Sequence, residues 1–233
     1  MDPRQLFFDE RYAGACVYCG SIPETRDHVP SKVLLDNPYP SDLPVVGCCS
    51  ACNSSFSLDE QYVACFIECV ICGSAEDCDL RRTKIQRILN HNESLRSRII
   101  NSRKDGLGVI YWEPELDRFQ NVILKLARGH AAYELYPLIG DPLSINLMPL
   151  QLLNEEQRYN FECLSYNDFG IWPEIGTRLF MRAWGKPPDK FDRVGDWIIV
   201  QPERYRYAVS ESEGVLIRMV LSEYLACEVL WDY

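Results

Sequence analysis

Long apolar runs are absent from this sequence, and so is any excess of positive charge. No uninterrupted hydrophobic stretch comes near the ~20 residues that a membrane-crossing helix needs, and no basic stretch followed by an apolar run opens the chain as a secretory leader would. These absences exclude a membrane protein and set the expectation of a soluble, cytoplasmic one. With 24 Lys and Arg against 34 Asp and Glu, the formal net charge of −10 excludes a protein that coats nucleic acid by bulk electrostatics. Internal repeats and low-complexity segments are absent as well.

Cysteine, by contrast, is plentiful. Eleven thiols, an odd number, in a chain with no leader point to reduced cysteines rather than disulfides. Closely spaced pairs among them then read as metal ligands. At 233 residues, with 47% hydrophobic and 12% aromatic side chains, the chain can bury a sizeable core in one or two domains.

The charge is unevenly spread. Residues 1–60 hold four basic and nine acidic side chains and residues 105–233 hold twelve and twenty, whereas residues 81–104 hold eight and one. In that segment Ile85, Ile88 and Leu89 recur at helical spacing with Arg81, Arg82 and Lys84 beside them and Arg87 further round. The pattern predicts an amphipathic helix whose outer surface is either simply solvated or contacts phosphates.

The chemistry lies upstream. Cys16-Val-Tyr-Cys19 and Cys49-Ser-Ala-Cys52 form two C-x2-C pairs, which offer four thiolates to one tetrahedral Zn²⁺. Gly20 suits the tight turn after the first pair. Cys48 competes for the third position, but only Cys49 has the two-residue spacing to Cys52. Between the pairs lies "DHVPSK", with Asp27 and His28, and Asn53 follows the last cysteine.

Over roughly residues 14 to 62 this combination resembles the HNH, or ββα-metal, endonucleases, in particular members with two C-x2-C pairs around the catalytic hairpin. The resemblance implies a structural Zn²⁺ and a metal-dependent hydrolysis of phosphodiester bonds. His28 would be the general base. Asp27 would hold a Mg²⁺ or Mn²⁺ ion acting as a Lewis acid, and Asn53 would either bind it too or brace the histidine loop. Nucleic acid is the implied partner, DNA rather than RNA on the resemblance alone. Lys32, Arg81, Arg82, Lys84 and Arg87 are the candidate phosphate contacts, and a protein partner that supplies DNA affinity would fit the acidic surface. Adjacent strand residues face opposite ways, so Asp27 and His28 can serve one phosphate only if the strand bends or ends there. Pro30 fits such a bend.

The family's third metal position falls on Tyr62, a departure from its pattern. Glu60 is the substitute, seven residues past Asn53 and on nearly the same face if one helix runs through both. "SLDE" at 57–60 alternatively reads as a capping box with Ser57 as N-cap. From Tyr62 to Ile71 a helix apolar nearly all round ends at Gly73. Its Cys65, Cys69 and Cys72 are too spread, over about 10 Å, to share one ion.

Further on, Phe119, Val122, Ile123, Leu126, His130 and Tyr133 share a helical face, with His130 read as a packed core histidine and His91 as a loop residue. "DWIIVQ", "YRYAV" and "GVLIRMVL" read as antiparallel strands, and "DNPYPSDLP" and "GKPPDKFD" as loops. The expected fold is α+β: a zinc-stapled ββα-metal module over 1–75, a basic helical segment over 76–104, and an accessory region over 105–233 with a C-terminal antiparallel sheet. The competing reading of function is a non-catalytic zinc module that binds nucleic acid or a protein.

Overall fold

The computed structural model describes residues 14–106, 108–163, 173–184, 197–211 and 214–232. The loop expected at 185–192 lies outside them. The chain is α+β and ends in an antiparallel sheet. It forms two compact units, one from the described parts of Met1–Ser55 and Ile123–Tyr233, the other from Phe56–Val122.

In the first unit, β1 (Thr25–His28) and β2 (Val45–Cys48) make an antiparallel ribbon with Thr25 opposite Cys48 and His28 opposite Val45. The loop between them holds the proline-rich stretch and a 3₁₀ turn at Lys32–Leu34. Helix α1 (Ser50–Ser55) follows β2 directly. The larger sheet takes β5 (Ser144–Pro149), β6 (Ile198–Gln201), β7 (Tyr205–Glu211), β8 (Gly214–Leu221) and β9 (Leu225–Asp232) in the order β5-β9-β8-β7-β6. The strands expected from "WIIVQ", "YRYAV" and "GVLIRMVL" are β6, β7 and β8.

Alternation along these strands buries one face completely. Tyr205, Tyr207 and Val209 of β7 align with Val215, Ile217, Met219 and Leu221 of β8 and with Cys227, Val229 and Trp231 of β9. On the opposite face Val220 and Ala226 meet Leu150 and Phe161, the latter from α6 (Glu155–Glu162). Helix α5 (Leu116–Glu134) contributes its C-terminal half to this unit. His130 stacks on Tyr207 with ring centroids 3.7 Å apart, and its Nε2 lies 2.8 Å from the Tyr205 hydroxyl. The Tyr207 hydroxyl donates to Glu134 at 2.7 Å, and Glu134 in turn takes the guanidinium of Arg182 from α7 (Arg178–Trp184). His130 is thus the core histidine its helical position predicts.

In the second unit the core is α2 (Ser57–Cys72), buried almost all round, against which α3 (Thr83–His91) and α4 (Glu93–Ser102) pack. The buried Glu68 carboxylate accepts the amides of Arg81 and Arg82 at 2.8 and 2.9 Å, which ties the entry to α3 onto α2. A ribbon of β3 (Arg103–Gly106) and β4 (Val109–Trp112) follows. Tyr62, Phe66, Trp112 and Phe119 form an aromatic cluster.

Two local expectations are corrected. Phe56, not Ser57, stands at the cap of α2, and Ser57 is its first helical residue, so the capping box does not form there. His91 closes α3 rather than lying in a loop, with Nδ1 2.7 Å from the Arg87 carbonyl.

Burial, with a smaller effect from Lys125, holds His130 well below the ordinary imidazole value. In the unfolded chain it titrates near 6.5. Below that pH the unfolded state binds a proton that the native state refuses, so stability is full above about 6.5 and falls as the pH drops. The expected slope from this one group is about 1.4 kcal/mol per pH unit. Denaturant midpoints from about one unit above that value to about one and a half units below it are expected to fall more steeply for the wild type than for His130→Gln, which keeps a partner for Tyr205 without titrating. Parallel curves would refute it.

Candidate metal centre and the Asp-His strand end

The two C-x2-C pairs converge. One sulfur from each of Cys16, Cys19, Cys49 and Cys52 lies within 4.8 Å of all the others, and the Cys19 and Cys49 sulfurs are 3.7 Å apart. Tetrahedral Zn–S bonds of about 2.3 Å put sulfurs about 3.8 Å apart, so the cluster fits one ion such as zinc. Among the described residues no other group of three or more His, Cys, Asp or Glu has this closeness.

Local chain geometry explains the convergence. Gly20 adopts φ +77°, a left-handed conformation that turns the chain back after Cys19. The Gly20 amide donates to the Cys16 carbonyl at 2.8 Å and the Cys16 amide to Ser21 at 2.6 Å. The second pair sits where β2 passes into α1, and the Cys52 amide donates to the Cys49 sulfur at 3.4 Å. Cys48 takes no part, because it ends the strand facing Thr25, whose hydroxyl lies 3.1 Å from its sulfur.

Hydrogen bonds from Ser21, side chain then backbone, draw the Cys19 thiol down to about 6, with Cys52 helping. Burial, then the bonds to Cys19 and Cys49, pushes Cys52 up. A divalent cation held among the sulfurs would favour the thiolate form that metal ligation requires.

Asp27, His28 and Asn53 hang from this staple. Thr25 and Asp27 share one face of β1, and Arg26 and His28 the other. The Asn53 amide donates to the Thr25 hydroxyl at 3.2 Å, so α1 is pinned to the Thr25–Asp27 face. His28 is half-buried and is the last residue of the strand, on the face opposite Asp27, so the regular pairing runs through both residues rather than ending between them. Exposed Arg26 shares its face of β1, and exposed Lys32 opens the 3₁₀ turn that follows, with its Nζ 5.5 Å from the Tyr39 ring centre.

Asp27 is buried and engaged. Its Oδ2 accepts from the Tyr18 hydroxyl at 2.7 Å and from Lys125 Nζ at 2.6 Å. A divalent ion bound to that oxygen at about 2.1 Å would stand within ~5 Å of the ammonium, a repulsion of roughly 7 kcal/mol at an effective dielectric of about 20. With that ammonium beside it, Asp27 as it stands does not fit a resident Mg²⁺ or Mn²⁺.

The remaining candidates lie in the second unit. Glu60 is buried on α2, and α1 and α2 are separate helices, so the condition of one unbroken helix from Asn53 is not met. Tyr62 is a core residue whose hydroxyl accepts the Glu115 amide at 2.9 Å. Arg82 is only 4% exposed, which leaves Arg81, Lys84 and Arg87 to form the accessible basic surface.

Sequence reasoning missed Lys125 and Arg26. The first had a signal, a lysine set among Val122, Leu126 and Ala127 on a buried helical stripe. Compared with known protein families, curated proteins and solved structures, the chain matches none.

Purified from zinc-supplemented medium, the protein is expected to carry one zinc per chain by elemental analysis. Cys49→Ser should lose it and Cys48→Ser should keep it. The reverse pattern would assign the ligands wrongly.

Proposed function

We propose that this protein hydrolyses phosphodiester bonds in nucleic acid, with DNA the expected substrate, and that His28 is the general base. The single observation that carries the reading is the strand end itself. A four-thiol staple holds a histidine at the last position of β1, beside the exposed cation Arg26 and with Lys32 four residues on.

In this reading neutral His28 takes a proton from water as the oxygen attacks phosphorus, and the bond from phosphorus to the leaving oxygen breaks. Arg26 and Lys32 attract the phosphate and offset its growing negative charge. Because Asp27 is engaged as described, no step is assigned to it. The basic surface of Arg81, Lys84 and Arg87 in the second unit would contact phosphates in its own right.

One observation favours the competing reading, a zinc module that binds without cleaving: Asp27 is neutralised from within. A plasmid cleavage assay separates the two. His28→Ala is expected to lower the cleavage rate at least 100-fold (about the lower end of general-base contributions) while retaining zinc and the circular dichroism of the wild type. Undiminished cleavage by His28→Ala, or none by the wild type, would hand the function to the binding module.

Binding has its own test. Replacing Arg81, Lys84 and Arg87 together with Gln should reduce the slope of log affinity against log salt by about 2 to 3 on duplex DNA, at ~0.9 per lost phosphate contact. An unchanged slope would leave that surface merely solvated.

A further inference from the structure

The strand end that carries His28 is gripped from one side by a helix far along the chain. Asp27, Val29 and Ser31, at alternate positions, all meet α5. Lys125, 2% exposed, places Nζ 2.6 Å from Asp27 Oδ2 and 2.8 Å from Ser31 Oγ. The same ammonium lies 5.9 Å from the centre of the Tyr18 ring, whose hydroxyl donates to the same Asp27 oxygen.

One turn on, Gly129 lets the helix close on the Val29 side chain. A Cβ there would fall 2.7 Å from Val29 Cγ2 and 2.9 Å from Cγ1, contacts too short to exist. Residues four apart lie on the same side of a helix, so the tight packing at Gly129 also sets the reach of Lys125. The ammonium is therefore part of a packed contact, surrounded by an acid, a hydroxyl and an aromatic ring.

We propose that Lys125 is the resident counter-cation of Asp27, standing where the family resemblance puts a divalent metal ion. The carboxylate's charge is met from within the chain, and the cation-binding half of the resemblance has been replaced by an ion pair. Cleavage assigned to His28 then needs no added divalent ion. That last step alone rests on the proposed hydrolase function, whereas the substitution of ammonium for metal rests on the geometry of Asp27.

Manganese binding tests it without reference to cleavage. The full chain, loaded with zinc, is titrated with Mn²⁺ and followed by electron paramagnetic resonance, with Asp27→Asn as the reference for ions bound elsewhere. Wild type and Asp27→Asn are expected to give the same isotherm. Lys125→Met, which frees the carboxylate, is expected to gain one site at least tenfold tighter than any in the wild type, and the Lys125→Met/Asp27→Asn double variant to lose it. Mn²⁺ should also raise the Tm of Lys125→Met and leave that of the wild type unchanged.

A wild-type site abolished by Asp27→Asn would overturn the proposal, and this arm needs no folded Lys125 variant. So would a folded Lys125→Met that gains no site. Should the wild type fail to cleave DNA at all, the hydrolase reading falls, and the manganese result still decides the role of Lys125.

Discussion

The four-thiol cluster is the constraint from which the N-terminal part of the first unit hangs. β1 and β2 have four residues each, and a two-stranded ribbon of that length does not stand alone in water. The cluster joins the turn that precedes β1 to the first turn of the helix that follows β2. Position is passed on from there by short contacts: Asn53 adjoins Cys52, its amide reaches Thr25, and the Thr25 hydroxyl reaches Cys48. A metal ion shared by four thiolates is strong enough to fix such a small ribbon because its binding energy enters the folding equilibrium directly.

The other support of the ribbon is electrostatic, and it works differently. A buried ion pair adds little net stability, since both charges lose water to form it, yet removing one partner costs about 3–5 kcal/mol because the other charge is left unpaired. The Asp27–Lys125 pair therefore acts less as a source of stability than as a device that selects one docking of α5. Any slip along the helix leaves a carboxylate and an ammonium buried apart. Gly129 imposes the same selectivity sterically, one turn away. Two independent penalties thus enforce one register between the strand end and the helix.

What the sequence made legible was local. The four-thiol cluster followed from two spacings, and the helices α3 and α5 from their apolar periods. The strands β6 to β8 followed from short strand-forming runs set apart by Pro202 and Gly214. What stayed hidden depended on partners distant in the chain. β5 and β9 pair with each other across 75 or more intervening residues, a relation no short window carries. The turn from β8 into β9 has Ser222 and Glu223 at φ +55° and +45°, where Asn and Gly are the usual markers, so it gave no signal. Arg82 looked like a surface cation because its neighbours are, but the amides before α3 are drawn onto Glu68 and the side chain is buried with them.

Asp27 shows why motif reading and structure part company at the site. A motif of a few residues specifies which donor atoms are near one another, and here it did: Asp27, Asn53 and Thr25 share one side of the ribbon. Whether those atoms are available is decided by whatever packs against them, and for Asp27 that is a lysine 98 positions later in the sequence. The strand end is consequently not autonomous. A fragment ending near residue 75 would carry the thiol cluster, Asp27 and His28 but not Lys125. Its carboxylate would then be open to solvent and to metal ions, so chemistry measured on the fragment would describe a site that the whole chain does not have.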